Sequence, residues 1–498
     1  MSDLDTVINA LNVVLQWQNL LLIFGISIVG LIIGFLPGIG ALAALPLIIP
    51  ITFGMSPAPA LIALAVIYMS AVYGGSVSAI LLNTPGTPAS AATCLDGYPM
   101  AQKGRGGVAI GISMMSSFIG GFIGLAGLIF LSPIISDFAL KFQPAEYFML
   151  AVLGLVLISA SVKGSMLKAL VSGALGVIVS SVGMDIMTGQ PRFSFGSLYL
   201  QSGIPFIPLI IGLFAFSEML ILVQRREKTI ATKGELTGKI RDGLKEPWKY
   251  PKTIIRSSLI GLGIGAIPGE GAAVANFTAY LVEVRGSKNP EAFGTGISQG
   301  IIAPETSNNA CVAGTLIPTL TLGIPGSGVA AVFLGGVMIH GLNPGIELFT
   351  RHKDILYTLF MGLLLANFVI FICGVTLSKY LAKVTTIPNY ILVPTIIVIG
   401  VCSSYLGRNQ VFDVVVAVSA GVGGYLMRKY GYSPISFLVA FILAPIAENS
   451  FFQALMISDN AYWTFVLRPI SGCLLLITIL VTFLPPALRK IRARSSAG

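Results

Sequence analysis

The sequence predicts an all-α polytopic membrane protein, with about 10–12 transmembrane helices plus broken or re-entrant helices in two inverted repeats. Hydrophobic residues make up 55% of the 498 residues and charged residues only 10%, whereas a soluble protein carries about 25% charged residues. The apolar residues stand in long runs without the alternation of barrel strands. A Pro-Gly motif also recurs in both halves of the chain. The composition therefore excludes an ordinary soluble enzyme.

The distribution of charge predicts the topology. Ten residues between Gln224 and Arg256 are basic and four are acidic, and the C-terminal tail is basic as well. Because basic loops stay on the cytoplasmic side, we expect the 224–252 linker and the C-terminus in the cytoplasm. The first basic residue is Lys103, which favours an N-terminus outside. The net charge of +10 is thus a topology signal, and nucleic acid is not an expected partner.

Several apolar segments are too short to cross a bilayer, which takes about 20 residues. The stretch from Asp3 to Leu15 has apolar residues at helical spacing and predicts an amphipathic interfacial helix. Four other short runs lie beside Gly/Pro clusters and predict half-helices or hairpin arms: Ala41–Thr52, Ala272–Val282, Ile297–Ala303 and Ala330–Ile339.

Two motifs occur twice in the same order. The segment from Gly34 to Gly40 matches that from Gly265 to Gly271 as G-x-x-P-G-x-G, and Leu82–Thr87 matches Leu322–Ser327 around a second Pro-Gly pair. This duplication predicts a first transmembrane repeat (1–223), the cytoplasmic basic linker (224–252), a second repeat (253–467) and an extra C-terminal helix with a basic tail (468–498). An outside N-terminus and an inside linker require an odd number of crossings, which inverts the second repeat.

The Pro-Gly pairs predict breaks in membrane helices, because proline removes a backbone donor and glycine permits unusual dihedral angles. Free backbone groups at such breaks can bind anions or cations. The alternative is a structural kink or close packing through small residues. We interpret Pro37, Gly38, Pro268 and Gly269 as structural breaks. The second Pro-Gly pair and the polar residues near it are interpreted as substrate-binding: Ser76, Ser78, Asn83, Thr84, Pro85, Gly86, Thr87, Asn308, Asn309, Gly323, Pro325, Gly326 and Ser327.

Two acidic residues are candidates for binding a coupling ion, because a carboxylate within membrane segments is costly and usually functional. Glu305 is the first candidate and Glu270 the second, although Glu270 equally fits a charge at a helix N-terminus. The motif clusters contain no Arg or Lys, so an anionic substrate would be held by backbone N–H groups and by Asn, Ser and Thr side chains. This favours coupling to Na⁺ or H⁺. We expect no other metal and no cofactor, and no ATP-binding motif is present.

Five sequence blocks resemble one known family. The segments Gly34–Gly40, Tyr73–Pro88, Asp96–Gly104, Ala303–Ala310 and Leu322–Ser327 are similar to the large membrane subunit of the tripartite tricarboxylate transporters, the TctA family. The resemblance implies a carrier of the bacterial inner membrane, driven by an ion gradient. Its implied partners are a small membrane subunit of about four helices and a periplasmic solute-binding protein that delivers carboxylates. The resemblance also implies that the segments 83–87 and 323–327 form paired hairpin tips near Glu305, Asn308 and Asn309.

The sequence therefore predicts the large subunit of a secondary active transporter that imports tricarboxylates or related carboxylates. Dicarboxylates, aromatic carboxylates or another organic anion stay open as substrates, and a passive channel or facilitator is an alternative mechanism. A membrane-embedded enzyme is disfavoured, because the chain has only two histidines and no evident catalytic set of residues.

Overall fold

A computed structural model describes residues 3–36, 39–161, 165–185, 187–224, 238–269, 271–381 and 388–495. Predicted features that fall on Pro37, Gly38, Glu270 and residues 225–237 lie outside the described residues.

The described chain is almost entirely helical. The helices of the first half are α1 Asp3–Val14, α2 Trp17–Phe35, α3 Gly40–Ile48, α4 Pro57–Leu82, α5 Cys94–Met100, α6 Gly106–Ala139, α7 Pro144–Ser161, α8 Met166–Ser180, α9 Leu198–Gln201, α10 Phe206–Ile210, α11 Ser217–Gln224 and α12 Ile240–Lys245. Those of the second half are α13 Pro251–Gly265, α14 Ala272–Gly286, α15 Ser298–Leu322, α16 Gly328–Ile339, α17 Ile346–Thr350, α18 Lys353–Leu381, α19 Asn389–Leu406, α20 Val411–Lys429, α21 Pro434–Ile457, α22 Thr464–Leu467 and α23 Pro469–Ser495.

Short irregular elements connect these helices. The 3₁₀ segments are Ile49–Gly54, Pro88–Ala91, Pro247–Lys249 and Pro290–Ala292, and the π-helical segments are Ala101–Arg105 and Ile211–Phe216. Two strands, β1 Gly183–Met184 and β2 Pro191–Arg192, pair in antiparallel fashion.

Among the described residues, nine helices are long and apolar enough to cross a membrane, and shorter apolar helices accompany them. This confirms the predicted all-α polytopic fold. The predicted short elements appear as α3, α14 and α16, and the predicted N-terminal helix appears as α1.

The prediction for Ile297–Ala303 as a separate half-helix is wrong. This segment continues into the following apolar run as one helix of 25 residues, α15, which contains Pro304 and Pro318. The polar residues that interrupt the apolar pattern here are buried against other helices. They therefore lower the local hydropathy without ending the helix.

The chain divides into two compact units. The first comprises residues 1–136, 207–267 and 271–425. Within it, α2 packs on α4 and α13 packs on α15. Helix α4 is buried from Ala60 to Leu81, and α15 is buried from Gly300 to Thr321. These two helices are therefore central to the first unit.

The second unit comprises residues 137–206, 268–270 and 426–498. Helix α21 packs on α7 and α8, and α23 packs on α7. Three ion pairs lie within this unit. Nε of Arg468 lies 2.6 Å from the buried carboxylate of Glu146. Arg192 binds both Glu448, at 2.5 Å, and Asp185, at 3.2 Å.

Candidate functional site

In the first unit, backbone φ angles at equivalent positions of the duplicated motifs agree with the predicted duplication. The residue after α4, Asn83, has a left-handed φ of 53°, and the matching residue after α15, Gly323, has a φ of 69°. The last glycines of the two G-x-x-P-G-x-G motifs, Gly40 and Gly271, have φ of 57° and 59°. Positive φ is typical of glycine and is found less often for asparagine. Both pairs of equivalent positions therefore share a positive φ.

The helix crossings are duplicated as well. A Cβ atom at Gly34 would lie 2.2 Å from the carbonyl oxygen of Ala71, and one at the matching Gly265 would lie 2.5 Å from that of Cys311. Gly74 and Gly314 approach α2 and α13 in the same matched manner. The repeat in sequence is thus a repeat in packing, while the inversion of the second repeat stays a prediction.

The turns that follow α4 and α15 lie against these crossings. We call residues 83–87 the first tip and residues 323–327 the second tip. A Cβ at Gly86 would lie 2.1 Å from the carbonyl oxygen of Gly34, and one at Gly326 would lie 2.8 Å from that of Gly265. Only glycine allows so close an approach. Each Pro-Gly turn is therefore seated on the helix break of its own half.

The two tips differ in exposure. Asn83 and Thr84 are exposed, and Gly86 and Thr87 of the same tip are buried. The second tip is buried at every residue from Gly323 to Ser327. Its Ser327 hydroxyl accepts a hydrogen bond from the Ala330 N–H at 3.1 Å and so caps α16.

Glu305 on α15 is completely buried. Its carboxylate accepts hydrogen bonds from the hydroxyls of Thr93, of Ser113 at 3.0 Å and of Ser117 at 2.7 Å. Ser113 and Ser117 are one turn apart on α6, and Thr93 lies just before α5. Hydroxyl and carboxylate oxygens together make a polar cage that can hold a proton or a small hard cation.

The residues that follow Glu305 form a buried polar stretch. Asn309 donates to the carbonyl oxygen of Ser117 at 3.2 Å. The hydroxyls of Thr306 and Ser307, both polar atoms of Asn308 and Oδ1 of Asn309 have no hydrogen-bond partner among the described residues. Buried polar groups are nearly always paired with protein, water or a ligand. This stretch therefore has free hydrogen-bonding capacity inside the protein.

Not every predicted site residue joins this cluster. Ser78 is buried in α4 and donates to its own helix at Gly75. Ser76, also buried in α4, lies 3.4 Å from Ser90 and does join the cluster, because its hydroxyl hydrogen-bonds to the carboxylate of Glu305. Pro268 and Gly269 belong to the second unit, in which a Cβ at Gly269 would lie 2.6 Å from the Ser161 hydroxyl. Their role as structural breaks stays a prediction.

Sequence reasoning missed Asp96. Its buried carboxylate accepts hydrogen bonds from the Tyr280 hydroxyl at 2.9 Å and from the backbone N–H groups of Gly294, Gly296 and Ile297 at 2.7–3.0 Å. These bonds tie α5 to the segment that leads into α15. The available signal was the Asp-Gly-Tyr-Pro sequence within the blocks that resemble the TctA family.

Tyr68 on α4 was missed as well. Its hydroxyl lies 3.1 Å from Oγ of Ser327 and 3.2 Å from Oγ1 of Thr315. Tyr68 stands in an apolar run, where its default interpretation is core packing, so no sequence signal pointed to this contact.

These features define a multi-pass helical membrane protein with a buried polar stretch on α15 and two matched turns at the ends of α4 and α15. The family model of the tripartite tricarboxylate transporter TctA family matches residues 20–439. The chain belongs to this family. It is a family of transporters, and its tripartite systems combine a large membrane subunit with a small membrane subunit and a periplasmic binding protein.

Two curated relatives come from Agrobacterium vitis. An uncharacterized 52.8 kDa protein in the TAR-I ttuC' 3'region is 35% identical over 492 residues, which cover 98% of this chain and 96% of the relative. An uncharacterized protein in the TAR-II ttuC' 3'region is 33% identical over 225 residues, which cover 45% of this chain and 93% of the relative. No solved structure matches the chain significantly.

Proposed function

We propose that this chain is the large transmembrane subunit of a binding-protein-dependent secondary active transporter that imports tricarboxylates or related carboxylates. The single observation that carries the proposal is the buried polar stretch of α15, whose side chains keep unpaired hydrogen-bonding atoms at the centre of a membrane protein. Family membership supports the same function.

The substrate would bind through hydrogen-bond donors instead of fixed positive charges. Amide N–H groups and hydroxyls can bind a carboxylate in a low-dielectric site, where such hydrogen bonds are strong. Asn308 offers an amide group that has no hydrogen-bond partner among the described residues. Binding without a fixed positive charge would give a moderate affinity for the substrate. A carrier needs a moderate affinity, because its site must also release the substrate.

Energy would come from a gradient of Na⁺ or H⁺. The proposed group is Glu305, because a fully buried carboxylate inside a membrane is expensive unless it is used. The cage of Thr93, Ser113 and Ser117 hydroxyls satisfies the carboxylate while leaving it able to bind a proton or a sodium ion. A co-bound cation would also offset the charge of the substrate.

In this proposal the protein resides in the bacterial inner membrane with its 224–252 linker and C-terminus in the cytoplasm. A small membrane subunit and a periplasmic binding protein would complete the system, and the binding protein would select the carboxylate.

The experiment begins with the cognate binding protein, which is screened by thermal shift against citrate, tartrate, succinate and benzoate. The three components are then reconstituted in proteoliposomes, and uptake of the radiolabelled carboxylate is measured with a Na⁺ gradient, a proton gradient or neither. We expect accumulation against a concentration gradient that stops when the ion gradient is collapsed.

Two results would contradict the proposal. Equilibration of the carboxylate without any ion gradient would favour the passive channel. Failure of wild-type vesicles to take up every carboxylate in the panel, although all three components are correctly inserted, would overturn carboxylate transport itself.

A further inference from the structure

The two tips have different side chains beside them, although both begin with a residue of positive φ. At the second tip, the hydroxyl of Tyr68 reaches across from the first half and lies 3.1 Å from Ser327 and 3.2 Å from Thr315. All three side chains are buried. A side chain of the protein therefore already occupies the polar position next to the second tip.

The internal repeat identifies the corresponding position at the first tip. The offset of 240 residues that relates Asn83 to Gly323 also relates Thr87 to Ser327 and Tyr68 to Asn308. By this correspondence, Asn308 on α15 should face the first tip as Tyr68 on α4 faces the second. Asparagine is much shorter than tyrosine, and the hydroxyl of Thr87 at the first tip lies 3.1 Å from Oγ of Ser90, a residue of its own half.

The helical periodicity of α15 supports an orientation of Asn308 toward the first half of the chain. Asn308 stands three residues after Glu305 and seven before Thr315, and positions spaced in this way share one face of a helix. Glu305 contacts Thr93 and Thr315 contacts Tyr68, both of which belong to the first half. Asn308 lies between them on this face, is fully buried, and has both polar atoms unpaired among the described residues.

We propose that a carboxylate group of the substrate binds between Asn308 and Thr87 at the first tip, in the place that the Tyr68 hydroxyl takes at the second tip. The second tip then receives no substrate. The amide N–H of Asn308 and the hydroxyl of Thr87 are the donors to the carboxylate, and the Thr87 hydroxyl turns to the substrate from its present partner, Ser90 at 3.1 Å. The exposed Asn83 and Thr84 of the same tip give this position access, which the buried second tip lacks. This inference rests on the proposed function.

The test uses the purified complex of the two membrane subunits and measures equilibrium binding of radiolabelled citrate, or of the carboxylate that the binding-protein screen selects. Asn308→Leu should raise Kd by roughly tenfold or more, the loss expected when a hydrogen bond to a charged group is removed. The same variant should keep or raise the unfolding temperature without ligand, because leucine has a similar volume and removes an unpaired buried amide.

Tyr68→Phe is the matched control at the second tip. Ser327 and Thr315 keep other partners, the N–H of Ala330 and the carbonyl oxygen of Val312, so this variant should fold. We expect its Kd to stay within about twofold of wild type, since the hydroxyl is not a substrate ligand in this scheme.

Wild-type affinity in Asn308→Leu, or a comparable loss of affinity in Tyr68→Phe, would overturn the inference. Either result leaves the proposed function intact, because uptake by wild-type vesicles is measured separately. Loss of thermal stability together with binding in Asn308→Leu would also contradict the inference, as it would make Asn308 a structural residue.

Discussion

Glu305 illustrates how a single residue can be costly for folding and useful for transport. It is fully buried, and the side-chain hydrogen bonds described for it come from four hydroxyl groups, those of Ser76, Thr93, Ser113 and Ser117. Hydroxyls can turn to donate to a carboxylate or to offer their lone pairs to a cation. The cage can thus satisfy Glu305 both with and without a bound ion.

We expect Glu305→Gln to reduce ion-driven uptake by about tenfold or more while leaving membrane insertion unchanged. Glutamine keeps the shape of the side chain and can still hydrogen-bond to the hydroxyls, but it cannot take up a proton or balance a cation. The measurement is uptake in proteoliposomes with the full set of partners.

Glu347→Gln is the matched control for this prediction. Glu347 is a partly exposed residue on α17, where Asn343 and Arg351 hydrogen-bond to it and lower the pKa of its carboxyl. Uptake should remain close to wild type in this control. Equal uptake in both variants would exclude Glu305 as the coupling group.

The sequence alone indicated Glu305, because a carboxylate among apolar runs is conspicuous. Its partners could not be found in this way. Ser113 and Ser117 stand about 190 positions away in an apolar run, and Tyr68 is further still from Ser327. Serine and tyrosine are ordinary components of membrane helices, so only the folded arrangement reveals which of them meet.

At the scale of elements, two pairs of crossed helices set the frame of the first unit. Helix α2 crosses α4 at Gly34, and α13 crosses α15 at Gly265. Backbone contact of this kind lets membrane helices associate closely through van der Waals packing. The absent side chains of these two glycines are therefore as important for packing as the bulky residues around them.

We expect Gly34→Ala and Gly265→Ala to destabilise the protein by roughly 1–3 kcal/mol or more, because the added methyl group overlaps a carbonyl oxygen. Gly25→Ala in α2 and Gly263→Ala in α13 are matched controls with nothing within 4 Å of the added atom. These controls should be neutral or slightly stabilising. Thermal unfolding in detergent checks all four, and equal behaviour within either pair would contradict the described crossings.

The elements also show what hydropathy can and cannot predict. The short helices α3, α14 and α16 were predictable because Gly and Pro stand beside short apolar runs. The full length of helix α15 was not predictable, because its polar residues from Glu305 to Asn309 resemble the end of an apolar segment. These residues face other helices, and a partner supplied by tertiary structure is invisible to a local pattern.

At the scale of the whole molecule, the predicted inversion concerns the orientation of the second repeat across the membrane. The matched turns and crossings define a duplication, and the charge distribution predicts that the second copy is inverted. Under inversion, equivalent connections must lie on opposite sides of the membrane. The connections before α4 and before α15 provide the comparison.

We expect Ser56→Cys and Asn289→Cys to react with a membrane-impermeant maleimide from opposite sides of the membrane. Both positions are exposed, and the experiment uses a background in which the five native cysteines are replaced. Labelling of intact cells and of inverted vesicles identifies the two sides. Reaction of both positions from the same side would exclude inversion.

The buried carboxylate of α15 has no counterpart at the equivalent position of α4. The residue that corresponds to Glu305 in the first half, by the offset that relates Thr87 to Ser327, is Ala65. Ala65 is buried like Glu305. Duplication of the scaffold therefore does not double the stoichiometry of coupling. If Glu305 is the coupling group, each subunit moves one cation by this route in a cycle, and any further charge that accompanies a multivalent anion must enter elsewhere.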